Sequence, residues 1–451
     1  MLEKIFHLSE YRTSIRTEIL AGVTTFMTMA YILFVNPNIL SIAGIPHQAV
    51  FFATAVGAGL ATIAMGLFVN YPIALAPGMG LNAFYTFTVV QQMGISWQTA
   101  LGAVFLSGII FILLTVTQVR QLLIEALPDS LKHAITVGIG LFITIIGLKT
   151  SGLMTIVVSL SAPVEGPVSF LAPGSSETII QMGNLHDPNV LLALAGLLLI
   201  ALLMAFRIQG AILIGIILTT LLGIPLGITQ VAPQFVQIPD FSQLAVGQLD
   251  ILGALKLGIF TVIFTFTFVE LFDSLGTIVG TAQRAGIADS SGKFPRLGRA
   301  LLVDAFSVSG GALLGTSTIT AYVESASGIA QGGRTGLTAI VTGLLFLVAL
   351  FFAPIAGMIP VAATGPALVI VGLLMIQAVA RIDFEDFTVA FPAFMTIILM
   401  PFTYSIANGI SAGLILYPLL KAVTGQARQV HWILWILFVI VATRYVFFIG
   451  G

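Results

Sequence analysis

No cysteine occurs in the 451 residues, which excludes disulfides, thiolate zinc sites and iron–sulfur ligation. Charge is nearly as scarce: Asp, Glu, Lys and Arg together make up 8% of the chain against 58% hydrophobic residues, where a soluble domain carries about a quarter charged residues. Mean hydropathy is +1.10. A soluble core of this size would need a charged shell that 17 basic and 18 acidic side chains cannot supply, so the expected solvent is lipid. A net charge of -1 and the lack of any long basic run give no support for a nucleic-acid partner. The five histidines, His7, His47, His133, His186 and His431, fall in loops or near helix ends, which disfavours a histidine metal cluster or proton relay. No P-loop signature is present, so transport driven by the chain's own ATP hydrolysis is not expected.

Long apolar stretches are abundant. A spanning helix needs about 17 to 25 apolar residues at about 1.5 Å each. Stretches that fit lie at 15–36, 49–70, an interrupted 72–93, 97–119, 128–149, 188–206 and 209–228. A second set lies at 252–283, 297–312, an interrupted 316–332, 335–356, 361–380, 386–402 and 406–423. A further stretch, 431–449, stands outside this pairing. With residues 1–14 placed in the cytoplasm, all basic residues except Lys149, Lys256 and Arg444 fall on the cytoplasmic side, as the positive-inside rule requires. Two long connections, about 150–187 and 229–250, hold Glu165, Glu177, Asp187, Asp240 and Asp250 with no basic residue inside them, and belong outside. Pro163, Pro167, Pro173 and Gly174 make the first an irregular external loop. The amino terminus, MLEKIFHLSEYRTSIRTE, is charged and amphipathic, unlike a cleaved signal peptide, and is expected to remain on the mature chain.

The two sets resemble each other weakly. GVTTFMTMAYILFVNPN at 22–38 and GIFTVIFTFTFVELFDS at 258–274 are both Thr/Phe-rich and end in polar residues, and the third and tenth segments are both short and Gly-rich. Seven spans per set is an odd number, so the sets run through the membrane in opposite senses. The expected fold is therefore an all-α polytopic membrane protein of 14 segments, a 7+7 inverted repeat (15–228 and 252–423). In such proteins paired interrupted helices mark the binding site.

In the third segment, YPIALAPGMGLNAFYTFTVVQQ (71–92), Pro72, Pro77, Gly78 and Gly80 should prevent a helix up to about Asn82, with a half-helix over Ala83–Val90. Close helix packing through small residues is the blander explanation. In the tenth, LLGTSTITAYVESASGIAQGG (313–333), Thr316, Thr318 and Thr320 alternate at period two, which predicts a short strand ahead of Glu324 and a half-helix from about Ser325. Irregular backbone at membrane depth is tolerated only against protein or a watery cavity, so two such segments point to a cavity near the midplane.

The eighth segment places Glu270 and Asp273 on one helix face with Ser274 and Thr277. A carboxylate in hydrocarbon costs at least about 2.5 kcal/mol on insertion scales, and no Lys, Arg or His is expected at their depth. Unpaired buried carboxylates take up protons, the physical basis of a proton-coupled carrier. Asp304 in the ninth segment, nearer the cytoplasmic end and Arg299, is as readily structural as functional.

APGMGLNAF at 76–84, VELFDSLGT at 269–277 and LGTSTITAYVESASGIAQGGRTGLTA at 314–339 resemble the adenine/guanine/hypoxanthine permeases of the nucleobase:cation symporter-2 family, whose relatives include uracil and xanthine permeases. The resemblance runs over almost the whole chain. It implies a core of segments 1–4 and 8–11, a gate of segments 5–7 and 12–14, short antiparallel strands in segments 3 and 10, cation-driven uptake and frequently a homodimer. It matches the family's eighth-segment acid to Glu270, a second acid there to Asp273, the tenth-segment acid to Glu324, and the polar third-segment residue to Asn82, preceded by Gly80. The uracil branch has His where this chain has Ser274.

These readings converge on a secondary carrier that imports purine nucleobases by proton symport with alternating access. It would sit in the cell inner membrane with lipid around it and would need no cofactor beyond the coupling proton. The substrate-binding set is Glu324, Glu270, Asn82, Gly80 and Ser325, with Phe84, Phe268 and Tyr322 available to stack on the ring; the proton-coupling set is Glu270 and Asp273. An anion or carboxylate carrier of the same architecture is the first rival, an intramembrane hydrolase using Glu270 the second, and a passive channel the third.

Overall fold

Where the chain enters a long helix, an oxygen-bearing side chain usually stands just ahead of the apolar run. Ser14, Ser96, Asp187, Thr335, Asp386 and Ser405 each accept a hydrogen bond from a backbone amide two or three residues on, satisfying donors that a helix start leaves without partners. The computed structural model describes residues 2–117, 119–156, 180–239, 244–256, 260–287 and 294–447. The expected external loop around Glu165 and Glu177, together with Asp240 and Lys293, lies outside the described residues.

In chain order the first half contains α1 (Leu2–Phe6), α2 (Ile15–Met29), α3 (Ile32–Ile42), α4 (His47–Ala64), β1 (Leu75–Pro77), α5 (Met79–Ala83), α6 (Trp97–Val116), α7 (Val119–Ala126), α8 (Asp129–Thr150), β2 (Met154–Ile156), β3 (Ile180–Met182), α9 (Pro188–Ala205) and α10 (Ala211–Gly223). The second contains α11 (Ile251–Lys256), α12 (Phe260–Arg284), α13 (Leu297–Leu314), β4 (Ile319–Ala321), α14 (Ser325–Ala330), α15 (Gly336–Val348), α16 (Ala353–Met358), α17 (Val361–Ile376), α18 (Phe387–Phe402), α19 (Ile406–Val423) and α20 (Trp432–Phe447). Helix α4 continues as a π-helical stretch, Met65–Val69, and α5 as another, Phe84–Gln92.

Ten helical stretches among the described residues are long and apolar enough to cross a membrane, accompanied by three shorter apolar helices. The sequence expectation was fourteen spans. The difference has two sources: the third and tenth segments are broken in the middle, and α10 and α18, with 13 and 16 residues, reach only about 20 and 24 Å. Three boundaries also differ. The first segment runs on to Ile42 and is interrupted at Ala30–Tyr31, where the Thr28 hydroxyl donates back to the Thr24 and Thr25 carbonyls, a pattern that bends helices. In the eighth, α12 runs to Arg284 rather than 283, and residues 257–259 lie outside the described residues. The half-helix of the third begins at Met79 rather than after Asn82, because extended Gly78 caps it.

The helices pack in two groups. In the first, α4 lies on α15, α6 on α13, α2 on α14 and α15, and α12 on α6. In the second, α8 lies on α17 and α18, α9 on α10 and α17, and α18 on α19. Glycine permits the close approaches: a Cβ on Gly336 would sit 2.0 Å from the Gly66 carbonyl oxygen, and one on Gly372 would sit 2.5 Å from that of Gly140. Backbones that approach this closely are typical of helix packing in lipid. The groups meet along α5–α8, α3–α17 and α12–α19, and α20 packs against α19 and α7.

Candidate functional site

Strands β1 and β4 pair antiparallel, Leu75 opposite Ala321, Ala76 opposite Thr320 and Pro77 opposite Ile319. Extended backbone this deep must have every polar group met, and the sequence supplies the partners. Gly78 N–H donates to the Thr318 carbonyl and Tyr322 N–H to that of Ala74, each at 2.9 Å. The Thr62 hydroxyl accepts from Leu75 N–H at 2.9 Å and donates to its carbonyl at 3.0 Å. Ser325 Oγ accepts from Ala74 N–H at 3.0 Å, and Tyr322 Oη donates to the Pro77 carbonyl at 2.5 Å.

Glu324 stands at the start of α14, half-buried, with Tyr31 Oη donating to its Oε1 at 2.7 Å. Tyr31 sits at the interruption between α2 and α3, so the bend in the first segment is what aims this phenol at the tenth. The amides at the start of α14 are taken: Ser325, Ala326 and Ser327 donate to the carbonyls of Tyr322, Val323 and Glu324 at 3.2, 3.0 and 2.9 Å. Helix α5 is different, since the amides of Met79 and Gly80 have no backbone partner among the described residues. A Cβ at Gly80 would meet Ile139 Cγ2 of α8 at 2.5 Å, so this glycine also permits contact between the two helix groups.

Asn82 is fully buried in a polar knot. Its amide donates to Asn36 Oδ1 at 2.6 Å and its Oδ1 accepts from Ser317 Oγ, while Asn36 donates to Thr54 and Thr316 at 2.7 and 2.9 Å. The knot ties segments 1, 2, 3 and 10 together. Ser325, also fully buried, is committed to Ala74. Among the proposed ring-stackers, Phe84 packs edge-on against Phe266 with centroids 5.2 Å apart, Phe268 is stacked on Phe264 at 5.3 Å, and Tyr322 is tied to Pro77.

Glu270 is 1% exposed, and neither carboxylate oxygen has a hydrogen-bond partner among the described residues. The neighbouring Thr320 hydroxyl is directed to Asp304 Oδ1, at 3.4 Å. Asp273, one turn on, is half-buried. The expectation that no cation reaches this depth is corrected by Arg120, which is 1% exposed. Its Nη2 donates to Ser274 Oγ at 2.9 Å and lies 3.9 Å from Asp304 Oδ2, and its guanidinium sits 4.1 Å above the Phe111 ring. Ser274 Oγ in turn donates to Asp304 Oδ2, and Asp304 Oδ1 accepts from Ala321 N–H at 3.3 Å. Asp304 is thereby fixed to β4 and Arg120 rather than to Arg299.

Glu18 is a second residue that the sequence did not single out. It is fully buried and accepts from the amides of Arg334, Thr335 and Thr338 and from the Thr338 hydroxyl, at 2.9, 3.3, 3.2 and 2.6 Å. A carboxylate at the amino end of α15 is well placed against the helix dipole. Its partners lie over 300 residues away, so no local pattern marks it. A largely apolar groove of about 630 Å³ lies between α4 and α13, with Leu60, Phe68 and Phe306 on its walls; these side chains are surface-exposed, and none of the carboxylates lines it.

Interrupted segments joined by a strand pair, carboxylates beside them and, among the described residues, ten long apolar helices define a multi-pass membrane transporter. The chain belongs to the xanthine/uracil permease family, whose model, described as a permease family, matches residues 16–412. It is 49% identical to a putative permease of Methanocaldococcus jannaschii, MJ0326, covering 100% of this chain and 99% of that one. It is 47% identical to the adenine permease AdeP of Escherichia coli K12 (95% and 92% covered) and 44% identical to the guanine/hypoxanthine permease PbuG of Bacillus subtilis (99% and 100%). Among solved structures it is similar to the transmembrane domain of the cyanobacterial bicarbonate transporter BicA, with TM-score 0.61, 17% identity and 88% and 97% coverage. It is also similar to SLC26A9, with TM-score 0.63, 12% identity and 91% and 66% coverage. At such identities the likeness is one of fold.

Proposed function

We propose that this chain imports purine nucleobases, namely hypoxanthine, guanine or adenine, across the cell inner membrane by proton symport. The observation that carries the reading is the placing of Glu324 and Glu270 beside the β1–β4 pair, in a chain 47% identical to an adenine permease and 44% identical to a guanine/hypoxanthine permease. Glu324, half-buried and oriented by Tyr31, accepts from the N–H groups of the base, and the amides of Met79 and Gly80 serve its acceptors. Glu270 binds the base from α12 and carries the coupling proton, with Asp273 tuning it. Asn82 and Ser325 hold the interrupted segments in register, since their polar atoms are already bonded to protein.

The fourteen-segment, 7+7 layout (15–228 and 252–423) is supported by the packing. Numbering the segments in order, the contact of 2 with 11 (α4–α15) is mirrored by that of 9 with 4 (α13–α6), and 13 with 5 (α18–α8) by 6 with 12 (α9–α17). The strand-bearing group is then the core and the other the gate, moving against each other around a fixed site. The amino terminus lies in the cytoplasm and α20 is an added carboxy-terminal helix. The working unit is a dimer in lipid, with no nucleic acid and no cofactor besides the proton.

Bicarbonate and anion carriers share this fold, so the fold does not select the substrate; acidic residues at both positions disfavour an anion. A thermal-shift panel of purines, pyrimidines and bicarbonate on the purified protein tests the reading, because a ligand of the native state raises its melting temperature. Stabilisation by purines, lost in Glu324→Gln, supports it; stabilisation by bicarbonate alone refutes it.

A further inference from the structure

Arg120 belongs to α7, the short helix joining α6, in the first packing group, to α8, in the second. Its Nη2 is bonded to Ser274, but Nε and Nη1 have no partner among the described residues. Buried guanidinium donors left unpaired are costly. Glu270, with two unpaired acceptors, stands one turn before Ser274 on the same face of α12. The charged groups gathered around the Ser274–Asp304 bridge are Asp304, bonded to Ser274, Asp273, one turn from Glu270 on α12, and Arg120, the last alone being positive.

Among the described residues, the other elements packed on α12 supply no competing cation near Glu270. Helix α6 and strand β4 carry no ionisable residue, α14 is preceded by Glu324, and α8 and α19 hold Asp129, Lys132, His133, Lys149 and Lys421 near their ends. Arg299 and Arg284 stand near the ends of α13 and α12, away from Glu270.

We propose that Arg120 is a positioning residue for proton coupling: it allows Glu270 to hold a negative charge, and its place on the linker ties that charge to the movement of the two helix groups. The inference rests on the reading of Glu270 as the proton carrier. With Glu270 protonated, Arg120 and Asp304, bridged by Ser274, balance each other's charge. When Glu270 releases its proton to water on the inner side, the site gains one negative charge, and Nε and Nη1 are the donors that turn to meet it. Arg120 itself stays protonated throughout. Without the guanidinium, Asp304 and Asp273 oppose the new charge and the proton is retained.

Two assays on protein reconstituted in vesicles test this: exchange of labelled for unlabelled purine at equal concentrations, and accumulation driven by an imposed proton gradient. In Arg120→Gln the ratio of accumulation to exchange falls at least about tenfold, and the pH profile of exchange moves upward by about one unit. Arg120→Lys restores part of the ratio, and the charge-balanced Arg120→Gln/Asp304→Asn restores more. Parallel loss of both activities with no pH shift, in Arg120→Gln or, if that variant does not fold, in Arg120→Lys and the double variant, makes the residue merely structural and overturns the proposal. Absence of gradient-driven accumulation in the wild type overturns instead the proton reading on which it rests.

Discussion

Tyr31 and Glu324 are 293 residues apart in sequence and 2.7 Å apart in space, phenol to carboxylate. The bond exists because the first segment breaks at Ala30–Tyr31 and the tenth turns from strand to helix at Glu324. It leaves Glu324 Oε2 outside the bond, on a side chain that is still half-buried.

Tyr31→Phe removes the donor and frees the carboxylate to swing. A hydrogen bond to a charged group contributes about 1.5–3 kcal/mol, so affinity for the purine should fall on the order of tenfold or more, with the fold intact. Calorimetric titration of the purified variant measures this; unchanged affinity would remove Tyr31 from the site.

Glu18→Ala leaves three amides and a hydroxyl at the start of α15 without their acceptor. The loss should cost about 3 kcal/mol and lower the apparent melting midpoint in detergent by several degrees. Glu18→Gln, which keeps one acceptor oxygen but loses the other and the charge, should lie between wild type and Glu18→Ala. A wild-type midpoint for Glu18→Ala would show that water replaces the carboxylate.

Gly336→Val places a side chain where a Cβ alone meets Gly66 O at 2.0 Å. Backbone cannot yield as a flexible side chain can, so α4 and α15 must separate. The expected result is loss of folded protein in size-exclusion chromatography, while Gly425→Ala, at a turn where a Cβ meets nothing within 4 Å, loses only about 1 kcal/mol of backbone preference.

Asp386 caps α18 and is held at about 2, below the usual carboxylate value, by the Thr388 hydroxyl and by Lys421. Because its folded pKa is depressed, its contribution is full above the unfolded value, 3.8, and disappears as pH falls through about 2. The midpoint difference between wild type and Asp386→Asn should therefore be constant from neutral pH down to about 5 and shrink between about 4 and 2. A difference independent of pH across that window would assign the effect to the cap geometry rather than to the Asp386 charge and its pairing with Lys421.

The interrupted segments were legible because their chemistry is local. Pro72, Pro77 and Gly78 forbid helix, the threonines at 316, 318 and 320 alternate, and Ser325 opens a helix as expected. The start of α5 was misjudged by a few residues because Gly80 was read as a helix breaker, whereas contact with Ile139 gives it a packing reason to stand inside one. Arg120 was not legible for a different reason. Counting basic residues assigns a side of the membrane, not a depth, and a long side chain on a linker helix can turn inward to a carboxylate that only the fold brings near. The roles of Asn82, Ser325 and Glu18 share that character, each set by partners from distant segments.

Accumulation of labelled hypoxanthine, guanine and adenine in vesicles, with an imposed proton gradient and after its collapse, tests the central claim most directly. The account predicts concentration of purine above equilibrium only while the gradient stands, and its abolition in Glu270→Gln. Uptake that is unchanged when the gradient is collapsed would contradict it.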